Sequence, residues 1–282
     1  LPHGTGAALS SQPMLDLVLM SLAALAAGVM DAIIGGGGLI LLPALLDSLP
    51  AAPLADVLAL NKVALLAGTA LAAWRYTYHT RRTALHAGLL PRGLLLASLC
   101  AMVSAFIGAM AVSHLSHHET AQLRSFLPVV LLALPIYVFF KKDLGKAPAA
   151  HIAKNTLFSA LIFAMLGLSI GFYDGFFGPG TGSLFIFAIV RWLGYDFLHA
   201  SAAARILCIG SGLSALAYFA WQGHIYWPLA LPLALANMAG GWLGPHLALR
   251  HSAGFVRWFF ILGVSFLVLK MLYPMQWSLP LG

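Results

Sequence analysis

Two basic side chains, Lys62 and Arg205, lie inside long apolar segments and are 143 positions apart. A cation in the middle of a membrane-spanning helix costs about 2.5–3.5 kcal/mol on insertion scales, so two of them at matched positions call for a reason. In one explanation, each cation pairs with an aspartate of its own half, Asp31 or Asp174, and only holds the fold together. In the other, both cations point into a central cavity and bind an anion, with Arg205 able to form two parallel hydrogen bonds.

Two glycine-rich stretches repeat at the same offset as the two cations. Residues Gly28–Gly38 read GVMDAIIGGGG, and Gly171–Gly182 read GFYDGFFGPGTG. The pairs that share the spacing of 143 are Gly28 with Gly171, Asp31 with Asp174, Gly35 with Gly178, and Gly37 with Gly180. So many glycines, with a proline in the second stretch, predict backbone that leaves helical geometry at membrane depth. The chain is therefore predicted to contain two related halves, each centred on a broken helix.

The two breaks predict an anion-binding region. Where a helix restarts, at Leu39 and at Ser183, its first N–H groups lack partners and carry partial positive charge. Thr181 and Ser183 offer hydroxyl groups, and Asn61 offers an amide whose counterpart in the second half is Ala204. Alternatively, the glycines serve close helix packing. The candidate substrate-binding residues are Gly35, Gly36, Gly37, Gly38, Asn61, Lys62, Gly178, Gly180, Thr181, Gly182, Ser183 and Arg205.

Asp31 and Asp174 precede the two breaks, and their chemistry leaves two roles open. They either accept hydrogen bonds from backbone N–H groups freed at the breaks, or carry protons whose movement is coupled to that of the anion. Sodium is the other candidate coupling ion. The residue types alone do not separate these roles.

The composition excludes several classes of protein. Of the 282 residues, 61% are hydrophobic and 8% are charged, whereas about a quarter of the residues in soluble domains are charged. Apolar runs of helix-spanning length predict an all-α polytopic membrane protein. The net charge of +7 belongs to loops and does not predict nucleic-acid binding. His114, His117, His118 and Glu119 do not match the zinc motif of metalloproteases, and no enzyme, metal or cofactor motif is recognised.

The predicted organisation is one integral membrane domain, with the first repeat at residues 1–140, a linker at 141–154 and the second repeat at 155–282. Each repeat has three full spans and a bent pair of shorter helices at its glycine-rich break. The full spans are predicted at Leu54–Trp74, Leu94–Val112 and Phe126–Phe140, and at Phe197–Trp221, Trp227–Leu249 and Phe255–Tyr273. The bent pairs are Leu15–Ile34 with Leu39–Leu46, and Leu157–Ile170 with Ser183–Val190.

The distribution of loop cations favours one of two topologies. If each bent pair crossed the membrane once, nine loop cations would lie on one side and four on the other. If each pair returns to its starting side, the count is eleven against two, with only Arg124 and Lys270 outside. The second version is better polarised, and it gives inverted repeats with both termini outside. A cytoplasmic loop would then carry Arg75, Arg81, Arg82 and Arg92.

The segments GVMDAIIGGGGLILLPAL and GFYDGFFGPGTGSLFIFA, each followed by a cation-bearing segment, LALNKV or ASAAARIL, resemble the sulfite exporter TauE/SafE family of membrane permeases. The resemblance extends over residues 15–273. It implies transport of small anions such as sulfite, thiosulfate, sulfoacetate or sulfolactate across the bacterial inner membrane. It also implies binding at the two breaks, Asn61, Lys62 and Arg205. Arg205 stands where similar sequences often have lysine, which favours a larger or more planar anion.

These observations together predict a secondary transporter with an anion site at the membrane midplane, between the two repeats, and alternating access to that site. An anion channel and a membrane scaffold or receptor are the alternatives. A channel would need a continuous polar pore, and the predicted spans contain few polar residues. A scaffold would keep both cations paired without a cavity between the halves.

Overall fold

The computed structural model describes residues 13–84, 91–116, 118–120, 122–123, 156–193 and 197–250. The predicted spans 126–140 and 255–273 and the linker 141–154 lie outside these residues. The main helices are α1 (Pro13–Ile34), α2 (Gly38–Ser48), α3 (Leu54–Ala84), α4 (Pro91–Ser113), α5 (Thr156–Phe176), α6 (Thr181–Leu193), α7 (Phe197–Trp221) and α8 (Trp227–Arg250). No strand occurs in this described part of the chain, which confirms the all-α class there.

Four helices of the described residues are long and apolar enough to cross a membrane: Met14–Ile33 in α1, Leu54–Trp74 in α3, Gly93–Ser113 in α4 and Ala200–Trp221 in α7. By contrast, α2 has 11 residues and α6 has 13. At about 1.5 Å per residue, neither reaches across a hydrocarbon core of about 30 Å. The structure thus contains the two short helices that were predicted to follow the breaks.

The prediction of a loop directly after the second span is wrong for residues 75–84 and for Arg92. Helix α3 has 31 residues and continues through Arg75, Arg81 and Arg82, while Arg92 lies in the first turn of α4. A helix of that length measures about 46 Å, which exceeds the hydrocarbon core. Helical geometry continues beyond the apolar segment because arginine is a good helix former and no glycine or proline interrupts residues 69–84.

The second break is also narrower than predicted. Helix α5 continues through Gly171, Asp174 and Gly175 to Phe176, so the backbone leaves helical geometry only over residues 177–180. The matching break in the first half covers residues 35–37. Gly35 and Gly178 occupy equivalent places and have positive φ angles of 79° and 87°, which favour glycine. The offset of 143 therefore aligns the two turns as well as the two sequences.

Glycines that precede the second break serve helix packing instead of breaking the helix. A Cβ atom at Gly171 would lie 2.5 Å from Ala101 Cα, and one at Gly175 would lie 1.9 Å from the Ala105 carbonyl oxygen. Such distances are possible only because glycine lacks a side chain. The contacted positions increase together along both helices, so α4 and α5 run parallel. The facing pairs are Ala97 with Gly167, Ala101 with Gly171, and Ala105 with Gly175.

The other end of the chain repeats this packing with the halves exchanged. Helix α1 of the first half lies against α8 of the second, and a Cβ atom at Gly28 would lie 2.1 Å from the Asn237 carbonyl oxygen. Asn237 also donates from Nδ2 to the Ala24 carbonyl oxygen at 2.8 Å. Gly244 lies against Ala32, so these contacts again advance in the same direction and the two helices run parallel. Each half therefore packs its first long helix against the other half.

Helices α3 and α7, the equivalent long helices of the two halves, cross in opposite directions. Asp56 lies near the start of α3, and its Oδ1 atom is 2.8 Å from Nδ1 of His224, a residue just after the end of α7. Further along α3, Lys62 and Leu66 both lie beside Gly212, in the interior of α7. As position along α3 increases, the contacted position on α7 decreases. The crossing brings the middle of α3 next to the middle of α7.

The short helix α2 forms much of the interior, because eight of its residues are buried. By contrast, α1, α4 and α5 each keep large apolar side chains on an exposed face. These include Leu19, Leu22, Leu95, Val103, Leu161 and Met165. A helix that is apolar on all sides suits a protein whose outer surface meets lipid.

Replacing Gly175 by leucine should separate α4 from α5. The added side chain would meet the Ala105 backbone, which cannot move as a flexible side chain can. We therefore expect the free energy of unfolding to fall by about 1–3 kcal/mol or more, the range typical of overpacking. Thermal unfolding of the purified protein, followed by fluorescence-detected size exclusion, measures this effect. Ser169→Leu is the matched control, because Ser169 lies on the exposed face of the same helix. Equal stability of the two variants would contradict the packing role.

Candidate functional site

A cavity of about 40 Å³ lies between the two breaks and the central parts of α3 and α7. By the same measure a single water needs about 10–15 Å³, so the space holds about three waters or one small oxyanion. Lys62 and Arg205 both line it, although they are only 6% and 3% exposed. The structure therefore brings together the two intramembrane cations that the sequence singles out.

The lining of this cavity follows the internal repeat. Of its 17 lining residues, 12 form six pairs at the offset of 143. These pairs are Asp31 with Asp174, Gly35 with Gly178, Gly38 with Thr181, Lys62 with Arg205, Leu65 with Cys208, and Thr69 with Gly212. The cavity thus lies at the interface of the two halves, where equivalent residues face each other.

Most of the predicted site residues line this cavity. The candidate residues that do so are Gly35, Gly38, Lys62, Gly178, Gly180, Thr181, Gly182 and Arg205, together with Asp31 and Asp174. The remaining candidates, Gly36, Gly37, Asn61 and Ser183, are buried and do not form part of the lining. The predicted set therefore divides into residues with access to the cavity and residues of the surrounding layer.

Lys62 contacts the other half of the chain. Its Nζ atom donates to Asp174 Oδ1 at 2.8 Å and to the Asp174 carbonyl oxygen at 2.6 Å. The explanation that pairs each cation with the aspartate of its own half is therefore wrong for Lys62. A Cβ atom at Gly178 would lie 3.0 Å from Nζ, so the glycine of the break also makes room for the ammonium group.

Arg205 makes the reciprocal contacts. Its Nη2 atom donates to the Asp31 carbonyl oxygen at 3.2 Å and to the Ala32 carbonyl oxygen. These carbonyls belong to the last turn of α1, and the Asp31 carbonyl also accepts from the Gly35 N–H at 2.9 Å. A cation is also favourable there because of the negative end of the helix dipole. Lys62 does the same for α5 through the Asp174 carbonyl, so each cation caps the broken helix of the opposite half.

The two carboxylates are each held by a hydroxyl group of their own half. Thr69 Oγ1 donates to Asp31 Oδ2 at 2.6 Å, and Ser211 Oγ donates to Asp174 Oδ2 at 2.7 Å. The backbone N–H of Gly37 also donates to Asp31 Oδ1, at 3.4 Å. Asp31 thus accepts a hydrogen bond from the N–H of a break residue, as one of its two predicted roles requires.

Thr69 and Ser211 are residues that the sequence prediction missed. Thr69 lies seven positions after Lys62, and Ser211 lies six positions after Arg205. Residues seven positions apart share one face of a helix, so this spacing is a signal that places Thr69 beside the same cavity. For Ser211 the spacing is weaker evidence, and its role follows from the contact with Asp174.

The two breaks touch each other at the cavity. The Ser183 N–H donates to the Gly35 carbonyl oxygen at 3.1 Å, and a Cβ atom at Gly35 would lie 2.6 Å from the carbonyl carbon of Gly182. The helices restart at Gly38 and Thr181, within two residues of the predicted positions. Gly38 and Gly182 line the cavity, and their N–H groups have no acceptor among the described residues.

One lysine, one arginine and two aspartates line the cavity, so their formal charges cancel when all four side chains are ionised. Both cations already have carboxylate or carbonyl acceptors within the protein. The carboxylate and carbonyl oxygens that the cations now contact are the kind of acceptor that a sulfur oxyanion also offers.

The polar segment after α4 has a local structural role. Glu119 accepts hydrogen bonds from the Ser116 hydroxyl at 2.7 Å and from the Ser116 N–H at 2.8 Å. These two bonds hold the pKa of Glu119 below its usual range, and the bond from the Ser116 hydroxyl has the larger effect. Among the described residues, no group of three or more His, Cys, Asp or Glu side chains is placed to hold a metal ion.

Comparison with known proteins identifies a family to which the chain is similar. The family model described as Sulfite exporter TauE/SafE matches residues 20–271. The chain is 30% identical to a probable membrane transporter protein of Haemophilus influenzae over 251 residues, which cover 89% of this chain and 92% of that protein.

Two further relatives have similar coverage. One is the probable membrane transporter protein ORF9 of a Sinorhizobium species, 31% identical over 86% of each chain. The other is the probable membrane transporter protein YfcA of Escherichia coli K12, 30% identical over 93% of this chain and 91% of that protein. No solved structure matches the chain. The chain belongs to the sulfite exporter TauE/SafE family of membrane transporters.

Proposed function

We propose that this protein is a secondary transporter of a small anion, either sulfite or a sulfonate, with its binding site in the cavity between the two breaks. The observation that carries this proposal is the meeting of two buried cations, Lys62 and Arg205, from opposite halves at one cavity. The description of the matched family as sulfite exporters supports the class of substrate. Membership of a family of transporters also argues against a catalytic function.

The anion binds by exchanging partners with the protein. Its oxygens take the place of the Asp174 carboxylate on Lys62, and they accept from the N–H groups of Gly38 and Gly182 at the two helix starts. Arg205 adds donors from the opposite half. Each hydrogen bond from Gly38 or Gly182 contributes about 1.5–3 kcal/mol to binding because its acceptor is charged, whereas the bond from Lys62 is offset by the loss of its contact with Asp174.

The two halves form inverted repeats. This proposal is supported by the opposite directions of α3 and α7, which are equivalent helices and both long enough to span the membrane. Two equivalent spans that run in opposite directions have opposite orientations in the bilayer. Each bent pair then returns to its starting side, and one half can adopt the arrangement of the other to expose the site alternately to the two faces.

Asp174 is the group through which a proton is coupled to the anion. While it is ionised, it holds Lys62 at 2.8 Å, and a protonated carboxyl would release the ammonium group to the anion. Asp31 accepts from the neutral groups of Thr69 and Gly37, which gives it a structural role at the first break.

Removing either cation should abolish most of the transport. In proteoliposomes loaded with radiolabelled sulfite, Lys62→Gln and Arg205→Gln should each lower the initial rate by at least about tenfold, because each removes charged hydrogen bonds to the anion. Arg191→Gln is the matched control, since Arg191 is an exposed cation at the end of α6.

Folding and mechanism are checked in the same preparations. All variants are first shown to be monodisperse by size exclusion, and counterflow of labelled against unlabelled sulfite separates a carrier from a channel. Transport by both cation variants at the rate of the unmodified protein would refute the proposed site.

Replacing Asp174 by asparagine should remove the effect of a pH gradient on transport. The variant keeps the shape of the side chain but cannot change its charge, so Lys62 no longer depends on a proton for its release. Sulfite flux is measured with and without an imposed pH gradient, and Asp31→Asn serves as the control that should keep its response. A pH-gradient response that persists in Asp174→Asn would exclude this residue as the proton carrier.

The topology predicts which loops a membrane-impermeant thiol reagent can reach. In a background that lacks Cys100 and Cys208, Arg191→Cys should resist labelling from outside intact cells, because the second bent pair returns to the cytoplasmic side. Gln222→Cys, in the connection after α7, should be labelled readily. Both positions are exposed, so accessibility within the protein is matched. Labelling of Arg191→Cys from outside would instead support bent pairs that cross the membrane.

A further inference from the structure

The cavity is not shared equally by the two halves. Its lining residues without a lining counterpart at the offset of 143 are Leu66, Gly180, Gly182, Ile186 and Ala204. Four of these five belong to the second half, at its break, on α6 and near the start of α7. Their counterparts in the first half, Gly37, Leu39, Pro43 and Asn61, are all buried. The cavity is therefore displaced toward the short helix of the second half.

Asn61 is the polar residue in the part of the first half that the cavity does not reach. It is 1% exposed, and its Oδ1 atom has no hydrogen-bond partner among the described residues. Leu65 and Thr69, one and two turns further along the same face of α3, line the cavity. Asn61 thus lies next to the cavity, on the side nearer the start of α3.

A buried asparagine with a structural task forms at least one side-chain hydrogen bond within the fold. Asn237 is an example, because its Nδ2 atom donates to the Ala24 carbonyl oxygen and links α8 to α1, and only its Oδ1 atom has no partner among the described residues. No hydrogen bond of this kind involves Asn61 in the described part of the chain. Leaving the amide donors of a buried asparagine without an acceptor, as well as its oxygen without a donor, is unfavourable, so we expect the Asn61 amide to find a partner in another conformation.

We propose that Asn61 joins the anion site only in a second conformation, in which the cavity is displaced toward α2 and the start of α3. This inference rests on the proposed transport function and on inverted repeats. When the halves exchange arrangements, the four buried counterparts in the first half replace their lining partners in the second. Asn61 then takes the place that Ala204 holds now, and its amide N–H groups donate to the anion.

The exchange makes the site chemically different on the two faces of the membrane. When the cavity opens to the face at which α3 begins, the anion contacts the amide donor of Asn61 in addition to Lys62 and Arg205. When it opens to the face at which α7 begins, Ala204 stands in the corresponding place and offers none. The anion therefore binds more tightly from the face at which α3 begins.

Cysteine labelling tests the conformational part without any substrate. In a background lacking Cys100 and Cys208, Asn61→Cys should react with an impermeant maleimide only from the face at which α3 begins. Ala204→Cys should react only from the opposite face. Ala64→Cys is the control, because this α3 residue is fully buried and does not line the cavity, and it should stay unlabelled.

Transport measured from each face tests the role of the amide. In membrane vesicles of right-side-out and inside-out orientation, Asn61→Ala should raise the half-saturating sulfite concentration about tenfold at the face where α3 begins. It should change less than twofold at the other face. The double variant Asn61→Ala with Ala204→Asn should reverse the difference between the faces, because it moves the amide to the equivalent place in the other half.

The outcomes separate this inference from the proposed function. Labelling of Asn61→Cys from neither face, or from the face at which α7 begins, would overturn the inference. An equal effect of Asn61→Ala at both faces, or no effect at either, would also overturn it. If the unmodified protein moves no sulfite in either orientation, the proposed function fails, and the labelling result alone then supports or overturns the proposed exchange.

Discussion

The structure depends on how two helices can end inside a membrane. Helices α1 and α5 end at glycine turns that are largely buried within the protein, and the carbonyl groups of a last helical turn have few intrahelical donors. Lys62 donates to the carbonyl of Asp174 in one of these last turns, and Arg205 donates to the carbonyls of Asp31 and Ala32 in the other. Since each cation belongs to the opposite half, the same contacts join the two repeats. Each cation therefore caps a helix end and links the two halves, and in the proposed function it also binds the anion.

The glycines divide the remaining work by position. Gly171 and Gly175 lie within α5, where the lack of a side chain lets α4 approach to backbone contact. Gly35 and Gly178 lie at the turns, where positive φ reverses the chain and brings the helix starts to the cavity. Because α1 packs on α8 and α5 packs on α4, neither half is a separate bundle. In the proposed mechanism, a movement that changes access to the cavity therefore involves contacts between the halves, which are made through backbone and glycines both at the breaks and along these helix pairs.

The neutral sum of charges around the cavity sets the chemistry of binding. An isolated pair of cations would attract any anion and would be hard to keep buried, whereas four balanced charges are stable when the site is empty. In the proposed mechanism, the anion exchanges places with an acceptor that the protein supplies to Lys62. The contact of Lys62 with both the carboxylate and the carbonyl of Asp174 is where that exchange has the clearest structural basis.

The amino-acid sequence was enough to predict the helical class, the repeat at an offset of 143, the short helices after the breaks, and the importance of the two cations that line the cavity. These follow from composition and local pattern, because apolar length, glycine and intramembrane charge act within a few turns of the chain. Only the tertiary structure decided that Lys62 pairs across the halves, over 112 positions, and that Arg205 reaches Asp31 over 174. It also decided which glycines pack and which break a helix. The sequence does not distinguish a glycine that packs from one that breaks a helix, because the role depends on whether another helix lies against it.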